Sequence, residues 1–186
     1  MWAIIRMLLH DGIVDVARWV PSPNFDNRPD GMKINLLVIH NISLPVGEFE
    51  GTSVEQLFTN CLDCDSHPDF TDLKDLRVSA HFLIKRDGEL IQFVNCGSRA
   101  WHAGLSQYDG RQNCNDFSLG VELQGTDSSG YTEIQYSKLS ELTKLLILNY
   151  PELTIDNIVG HSDIAPVRKT DPGEAFDWDR YRKELV

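Results

Sequence analysis

The chain has 186 residues, 41% of them hydrophobic and 24% charged, with a formal net charge of −11. That length suits one domain able to bury a core without disulfide staples, and the composition excludes a disordered or fibrous chain. A field of this sign repels phosphates and so argues against nucleic acid and anionic membrane surfaces as partners, but screening beyond about 8–10 Å leaves room for a small acidic substrate in a locally basic pocket.

In the N-terminal stretch MWAIIRMLLHDG, Arg6 and then His10 and Asp11 interrupt the apolar run, and no basic region precedes it. It predicts neither a secretory signal nor, with any later stretch, the roughly 20 apolar residues of a membrane span. A cytoplasmic protein is the expectation. The residues from Ile13 to Trp19 predict a short helix, and PSPNFDNRPDG after it reads as an irregular surface loop. Leu36 to His40, LLVIH, is a continuous apolar run that predicts a strand buried on both faces, with His40 where the strand opens into a loop. Thr52 or Ser53 caps a short helix through Val54, Leu57 and Phe58.

Cys61 to Asp75 reads as an aspartate-rich loop. The four cysteines are too sparse for a disulfide framework, so free thiols are expected. Cys61, Cys64 and His67 have a spacing that can start a structural zinc site, but no second ligand pair completes it. Ala80 to Lys85 and Glu89 to Val94 flank Asp87-Gly88, a hairpin signal. Arg99 to Gly110 reads as loop and carries Trp101 and His102.

Phe117 to Gln124, FSLGVELQ, alternates. Phe117, Leu119, Val121 and Leu123 share one face; Ser118, Gly120, Glu122 and Gln124 share the other, which is small and polar as in a pocket lining. Glu122 faces either a pocket or solvent; the pattern allows both. Thr132 to Asn149 predicts the main helix, with a Thr132/Gln135 capping box and a buried stripe of Leu139, Leu142, Leu145 and Leu146. Asp177 caps a last helix whose Trp178, Tyr181 and Leu185 pack inward.

Among six histidines, His10 and His67 read as surface residues and His81 as a hydrogen-bonded core residue; His102 is open between a substrate contact and none. His40 and His161 each follow an apolar run and open onto a loop. With Asp171, at the end of VGHSDIAPVRKTDPG, they make a three-ligand set with an open fourth position, the arrangement of a catalytic zinc. No H-E-x-x-H or similar short motif supports it.

Five stretches carry a resemblance: LLVIHNISLPVGEF, LRVSAHFLIKRDGELIQFV, RAWHAG, CNDFSLGVELQGTD and GHSDIAPVRKTDPGEAFDW. Together they resemble the zinc-dependent N-acetylmuramyl-L-alanine amidases, and within them the cytoplasmic branch that acts on 1,6-anhydro sugars in peptidoglycan recycling. The match runs from Met7 onward and leaves residues 1–6 outside. It implies a single α/β (α+β) domain over residues 1–186, with a central mixed β-sheet flanked by helices, of the amidase type 2 and peptidoglycan-recognition kind.

By the same resemblance, His40, His161 and Asp171 hold Zn2+, Glu122 is the catalytic glutamate and Lys169 the catalytic lysine. Arg77 and Arg111 fall on basic positions associated with the stem peptide, and Asn41, Trp101 and His102 are sugar or peptide contacts; each of these five also has a structural reading. The implied reaction is hydrolysis of the amide between (1,6-anhydro-)N-acetylmuramic acid and L-alanine of a small muropeptide, by a monomer. The alternative is a non-catalytic muropeptide-binding module of the same fold, which would lack a ligand or the glutamate. Every one of those positions is filled here.

Overall fold

The LLVIH run extends by two residues to form a seven-residue strand, Leu36–Ile42, and pairs on both edges. In this computed structural model, which describes residues 7–186, it lies second in a six-stranded sheet. The strands in chain order are β1 (Arg18–Trp19), β2 (Leu36–Ile42), β3 (Phe82–Ile84), β4 (Leu90–Gln92), β5 (Ser118–Gln124) and β6 (Ile158–Gly160). Their order in space is β6-β2-β5-β3-β4-β1. The first four of these are mutually parallel, β3 and β4 are antiparallel, and β1 runs parallel to β4. The helices are α1 (Ser53–Phe58), α2 (Glu133–Asn149), α3 (His161–Ile164) and α4 (Trp178–Leu185). None of the described helices is long and apolar enough to cross a membrane.

Period-two alternation sorts the two faces of the sheet. Leu37, Ile39, Leu119, Val121 and Leu123 point to the face covered by α2 and α4, where they meet the Leu139, Leu142, Leu145 and Leu146 stripe with Tyr181 and Leu185. On the opposite face Leu36 and Val38 pack with Ala103, Cys114, Phe117 and Ile164, and Leu83 and Ile91 pack under α1. The α2 cap is a full capping box: the Thr132 hydroxyl accepts from Gln135 N at 3.2 Å, and Gln135 Oε1 accepts from Thr132 N at 3.0 Å. The Gln135 amide also donates to Ile84 O and Gln124 O, which ties the start of α2 to the ends of β3 and β5.

The predicted hairpin forms around Asp87-Gly88, with Lys85 N donating to Glu89 O and Gly88 at φ 86. The predicted helix over Ile13 to Trp19 does not. Asp11 and Gly12 both have positive φ, 49 and 80, and turn Leu9–His10 back on Ile13–Val14 as a small hairpin. This is the same Asp-Gly chemistry as at Asp87, and it outweighs a weak apolar periodicity. A second such turn at Asp109-Gly110 folds Gln107–Tyr108 onto Arg111–Gln112, so the Arg99 to Gly110 stretch is not all loop.

The PSPNFDNRPDG segment is also more than a surface loop. Phe25–Asn27 pairs with Ser98–Ala100, and Ser22 and Asn24 are buried on the carbonyls of Phe58 and Val78. Arg28 enters the interior, where its guanidinium donates to the carbonyls of Cys96, Asn115, Asp116 and Ser118. These backbone acceptors take the place that a sheet partner would hold. All four cysteines are free thiols, as expected. The Cys61 to Asp75 stretch contains one 3-10 turn, Pro68–Leu73.

Because α2 is held by its buried stripe more than by its cap, Leu139→Ala should lower stability by about 2–5 kcal/mol, and Thr132→Ala by about 1 kcal/mol. Urea unfolding of both variants checks this. The opposite order would contradict the packing account.

Candidate metal centre

In-register pairing of β2 and β5 sets His40 beside Glu122, and face parity turns both away from α2. One strand over, Gly160 pairs with Ile39, so His161, the next residue, falls alongside His40. The chain then leaves α3, loops, and returns Asp171, whose carbonyl accepts from Ser162 N. Both histidines are buried and Asp171 is nearly so.

Their atoms converge. His40 Nδ1 lies 2.9 Å from His161 Nδ1 and 3.0 Å from Asp171 Oδ2, and His161 Nδ1 lies 3.1 Å from the same oxygen. A tetrahedral ion with bonds of about 2.0–2.1 Å separates its ligand atoms by roughly 3.3 Å, so the triangle already has nearly the spacing of one coordination face. Three electron-rich atoms this close are held together by a proton or a cation among them, and two imidazoles with one carboxylate are the donor set of a borderline metal. Among the described residues this is the one group of three His, Cys, Asp or Glu side chains whose ligand atoms converge. Cys61, Cys64 and His67 form no such group; His67 Nδ1 instead accepts from Asp69 N, at the start of the 3-10 turn.

The protonation states suit metal binding, which takes neutral imidazole and ionised carboxylate. Burial pushes the His40 imidazole down to about 4. Burial by itself would raise the Asp171 carboxyl, but the His161 and His40 rings against it outweigh that and hold the group well below its usual range. The second nitrogen of each ring has its own partner. His161 Nε2 donates to Ala103 O at 3.1 Å, and His40 Nε2 faces His102 Nδ1 at 3.0 Å.

Glu122 is 8% exposed, and its Oε2 is buried without a protein partner. Of the two orientations open from the sequence, the structure therefore takes the inward one. Burial, with Asp171 adding to it, pushes the Glu122 carboxyl well above its ordinary value, and Lys169 opposes the shift. A dication at the triangle would act in the same sense as Lys169 and return the carboxyl toward its ionised form.

The loop that carries Lys169 and Asp171 is pinned from several sides. Thr170 Oγ1 and the Asn41 amide each donate to Asp127, Tyr131 OH donates to Pro172 O, and Arg168 donates to the carbonyls of Ala103 and Leu105. An open groove of about 510 Å³ runs beside it, lined by Asn41, Ser43, Gly125, Asp127, Lys169 and Asp171 among others.

The structure does not bring every residue named from the sequence to this groove. Arg111 stacks over Phe117, 3.6 Å from the ring centre, and donates to Asn35 at the start of β2. That is five residues, or roughly 16 Å at about 3.3 Å per residue, from His40. Arg77 is exposed and donates to the carbonyls of Lys74 and Leu76. Trp101 is half-buried, with its main chain bonded to Asn24 and Ser79. His102 is only 9% exposed and lies behind His40. His81 is a core residue: it accepts from Gly120 N and its other nitrogen meets Ser98 O. Sequence reasoning missed Asp127, Asn115 and Ser118. Asp127 closes the CNDFSLGVELQGTD stretch, past the end of the strand, with no role of its own legible there, and Ser118 was legible only as a small polar member of an alternating face.

A family model described as N-acetylmuramoyl-L-alanine amidase matches residues 30–174. The chain is 56% identical over 176 residues to the 1,6-anhydro-N-acetylmuramyl-L-alanine amidase AmpD of Escherichia coli (strain K12), covering 95% of this chain and 96% of that protein. The crystal structure of a selenomethionine derivative of AmpD superposes with a TM-score of 0.94 at 53% identity, over 97% of this chain and 100% of that one. AmiD of E. coli, in complex with the substrate anhydro-N-acetylmuramic acid-L-Ala-D-gamma-Glu-L-Lys, superposes with a TM-score of 0.60 at 27% identity, over 97% of this chain and 66% of its own. The matched span holds the paired strands, the pinned loop and all three converging side chains, and on these grounds the chain belongs to the N-acetylmuramoyl-L-alanine amidase family.

Proposed function

We propose that this chain is a zinc-dependent amidase that cleaves the bond between the lactyl group of 1,6-anhydro-N-acetylmuramic acid and L-alanine, releasing the stem peptide during peptidoglycan recycling. Near-full-length identity to relatives with that named activity supports the substrate. The converging His40, His161 and Asp171 triangle, with Glu122 in register beside it, supports the chemistry. The proposal takes residues 1–186 as one amidase unit, monomeric and cytoplasmic, with one zinc ion per chain. Residues 1–6, which lie outside the family resemblance, also lie outside the described structure.

An amide resists neutral water because resonance stabilises it, so the site must improve both nucleophile and electrophile. His40, His161 and Asp171 would hold a zinc ion, which would supply the Lewis acidity that polarises a carbonyl and acidifies a water. Glu122 takes the proton from the attacking water and returns it to the departing alanine nitrogen. Its Oε2 has no competing protein partner, so it is free for that exchange. Lys169 puts positive charge beside the oxyanion as it develops. Asp127 holds the loop that carries Lys169.

Toward the substrate, Arg77 is the exposed guanidinium available to a stem-peptide carboxylate, in the fork geometry such a pair favours. Asn41 and Trp101 remain candidate contacts. The proposal leaves out Arg111, committed at the far end of the sheet, and His102, whose ring nitrogens are both bonded inside the protein.

Stem peptide should be released from anhydro-muropeptide, stop on chelation and resume when zinc is restored; cleavage that ignores a strong chelator would remove the metal from the chemistry. Running the same assay with the reducing muropeptide and with intact peptidoglycan tests the sugar preference, and binding without cleavage would establish the non-catalytic module instead. Glu122→Gln should retain one zinc per chain while losing about 10²–10⁴-fold in kcat, with metal content read by mass spectrometry; an unchanged kcat takes Glu122 out of the mechanism. Lys169→Ala should lower kcat by about 10²–10³-fold, whereas a change confined to KM would make it a binding residue.

A further inference from the structure

His102 is enclosed by two other imidazoles, with ring centres 5.1 Å away at His40 and 5.7 Å away at His81. No carboxylate touches it, so nothing balances a charge on its ring. Its Nε2 lies 3.0 Å from Ser118 Oγ, and that hydroxyl in turn lies 2.6 Å from the carbonyl of Cys114. A carbonyl only accepts, so the single hydroxyl hydrogen of Ser118 goes to Cys114. His102 must then donate through Nε2 to Ser118. Its proton thus placed, His102 has a lone pair at Nδ1, 3.0 Å from His40 Nε2. His40 must donate there in turn, and its Nδ1, at the metal triangle, is left bare.

We infer that His102 and Ser118 are positioning residues that fix the tautomer of His40, so that this ligand always offers Nδ1 to the metal. The inference rests on the metal reading of the triangle. It also explains the glycine in β5: a Cβ at Gly120 would sit 2.6 Å from the His102 ring, so the strand is bare there to admit an imidazole and not a substrate. The ring is held in place from its own backbone as well, where Asn115 Oδ1 accepts from His102 N and Ala103 N. His161 needs no such relay, since a backbone carbonyl, Ala103 O, orients it directly. Of the two histidine ligands, only His40 has a tautomer set by side chains.

Three variants test this: His102→Phe, which keeps the ring volume and removes both nitrogens; His102→Asn, whose amide oxygen stands near the position of Nδ1; and Ser118→Ala, which removes only the last hydroxyl. Zinc affinity is measured by competition with a chromophoric chelator on protein shown to be folded by circular dichroism. The ring tautomer of His40 is read from long-range ¹H–¹⁵N correlations in metal-free protein. His102→Phe should bind zinc about 10–100-fold more weakly than wild type, His102→Asn should recover part of the loss, and Ser118→Ala should fall between wild type and His102→Phe. Wild-type His40 should be protonated at Nε2, and Ser118→Ala should populate the other tautomer. If His102→Phe does not fold, the Ser118→Ala affinity and tautomer decide the matter. Wild-type zinc affinity in the folded variants, or a wild-type His40 protonated at Nδ1, overturns the inference, since a ring that merely fills space would give the first result. Failure of the wild-type protein itself to bind zinc would overturn the metal reading instead.

Discussion

Parallel, in-register pairing of β2 with β5 is the constraint on which the rest of the site depends. It places Leu36, Val38 and His40 opposite Ser118, Gly120 and Glu122, six residues on one face of two adjacent strands. A slip of either strand by one residue would turn its three side chains toward α2 and bring its apolar set to the polar side. The register is held because Leu37, Ile39, Leu119, Val121 and Leu123 have an apolar layer to meet on the α2 face. The hydrophobic core thus aims the polar face without touching it.

Around that polar face the structure buries groups that water would otherwise solvate, five of them His40, His102, Ser118, Glu122 and His161. Such a cluster is stable only when its hydrogen bonds are complete, since each unmade bond in a low-dielectric interior costs more than a made one returns. Four of the five have their partners within the protein, and Glu122 Oε2 is the exception. Among these side chains the fully buried atom left without a partner is thus a carboxylate oxygen, on the residue paired with His40. The pinned loop completes the picture from the other side. Asp127 and Tyr131, both beyond β5, hold Thr170 and Pro172, so the same strand that carries Glu122 also anchors the segment that carries Lys169 and Asp171.

Elements misread from the sequence have two causes. Ile13 to Trp19 has too few residues for periodicity to decide between helix and strand, and the local chemistry of Asp11-Gly12 decided it instead. The segment Pro21 to Gly31 contains every residue type associated with surface loops, yet Ser22, Asn24 and Arg28 go inside because carbonyls left unpaired by short strands wait for them. Arg111 was a plausible carboxylate ligand by type, and its place at the opposite end of the sheet is a matter of where a hairpin turns. The hairpins at Ile13 and Arg111 turn on Asp-Gly pairs next to them in the chain, whereas the burial of Ser22, Asn24 and Arg28 depends on acceptors supplied by chain far away.

Residue pattern by itself determined the buried strand at LLVIH, the alternating strand at FSLGVELQ, the Asp87-Gly88 hairpin and the capped main helix, because those signals are local: periodicity, turn chemistry and a capping box act within a few residues. It also grouped His40, His161 and Asp171 as a candidate zinc set, while Glu122 and Lys169 took their roles only from the family resemblance. Only the tertiary structure decided that Glu122 faces inward and that His40, His161 and Asp171 converge to within 3.1 Å. Only it placed His102 against His40, with both ring nitrogens bonded inside the protein. The reason is physical: a ligand triangle is a distance between residues up to 131 positions apart, set by strand register and loop closure, and no local pattern encodes it.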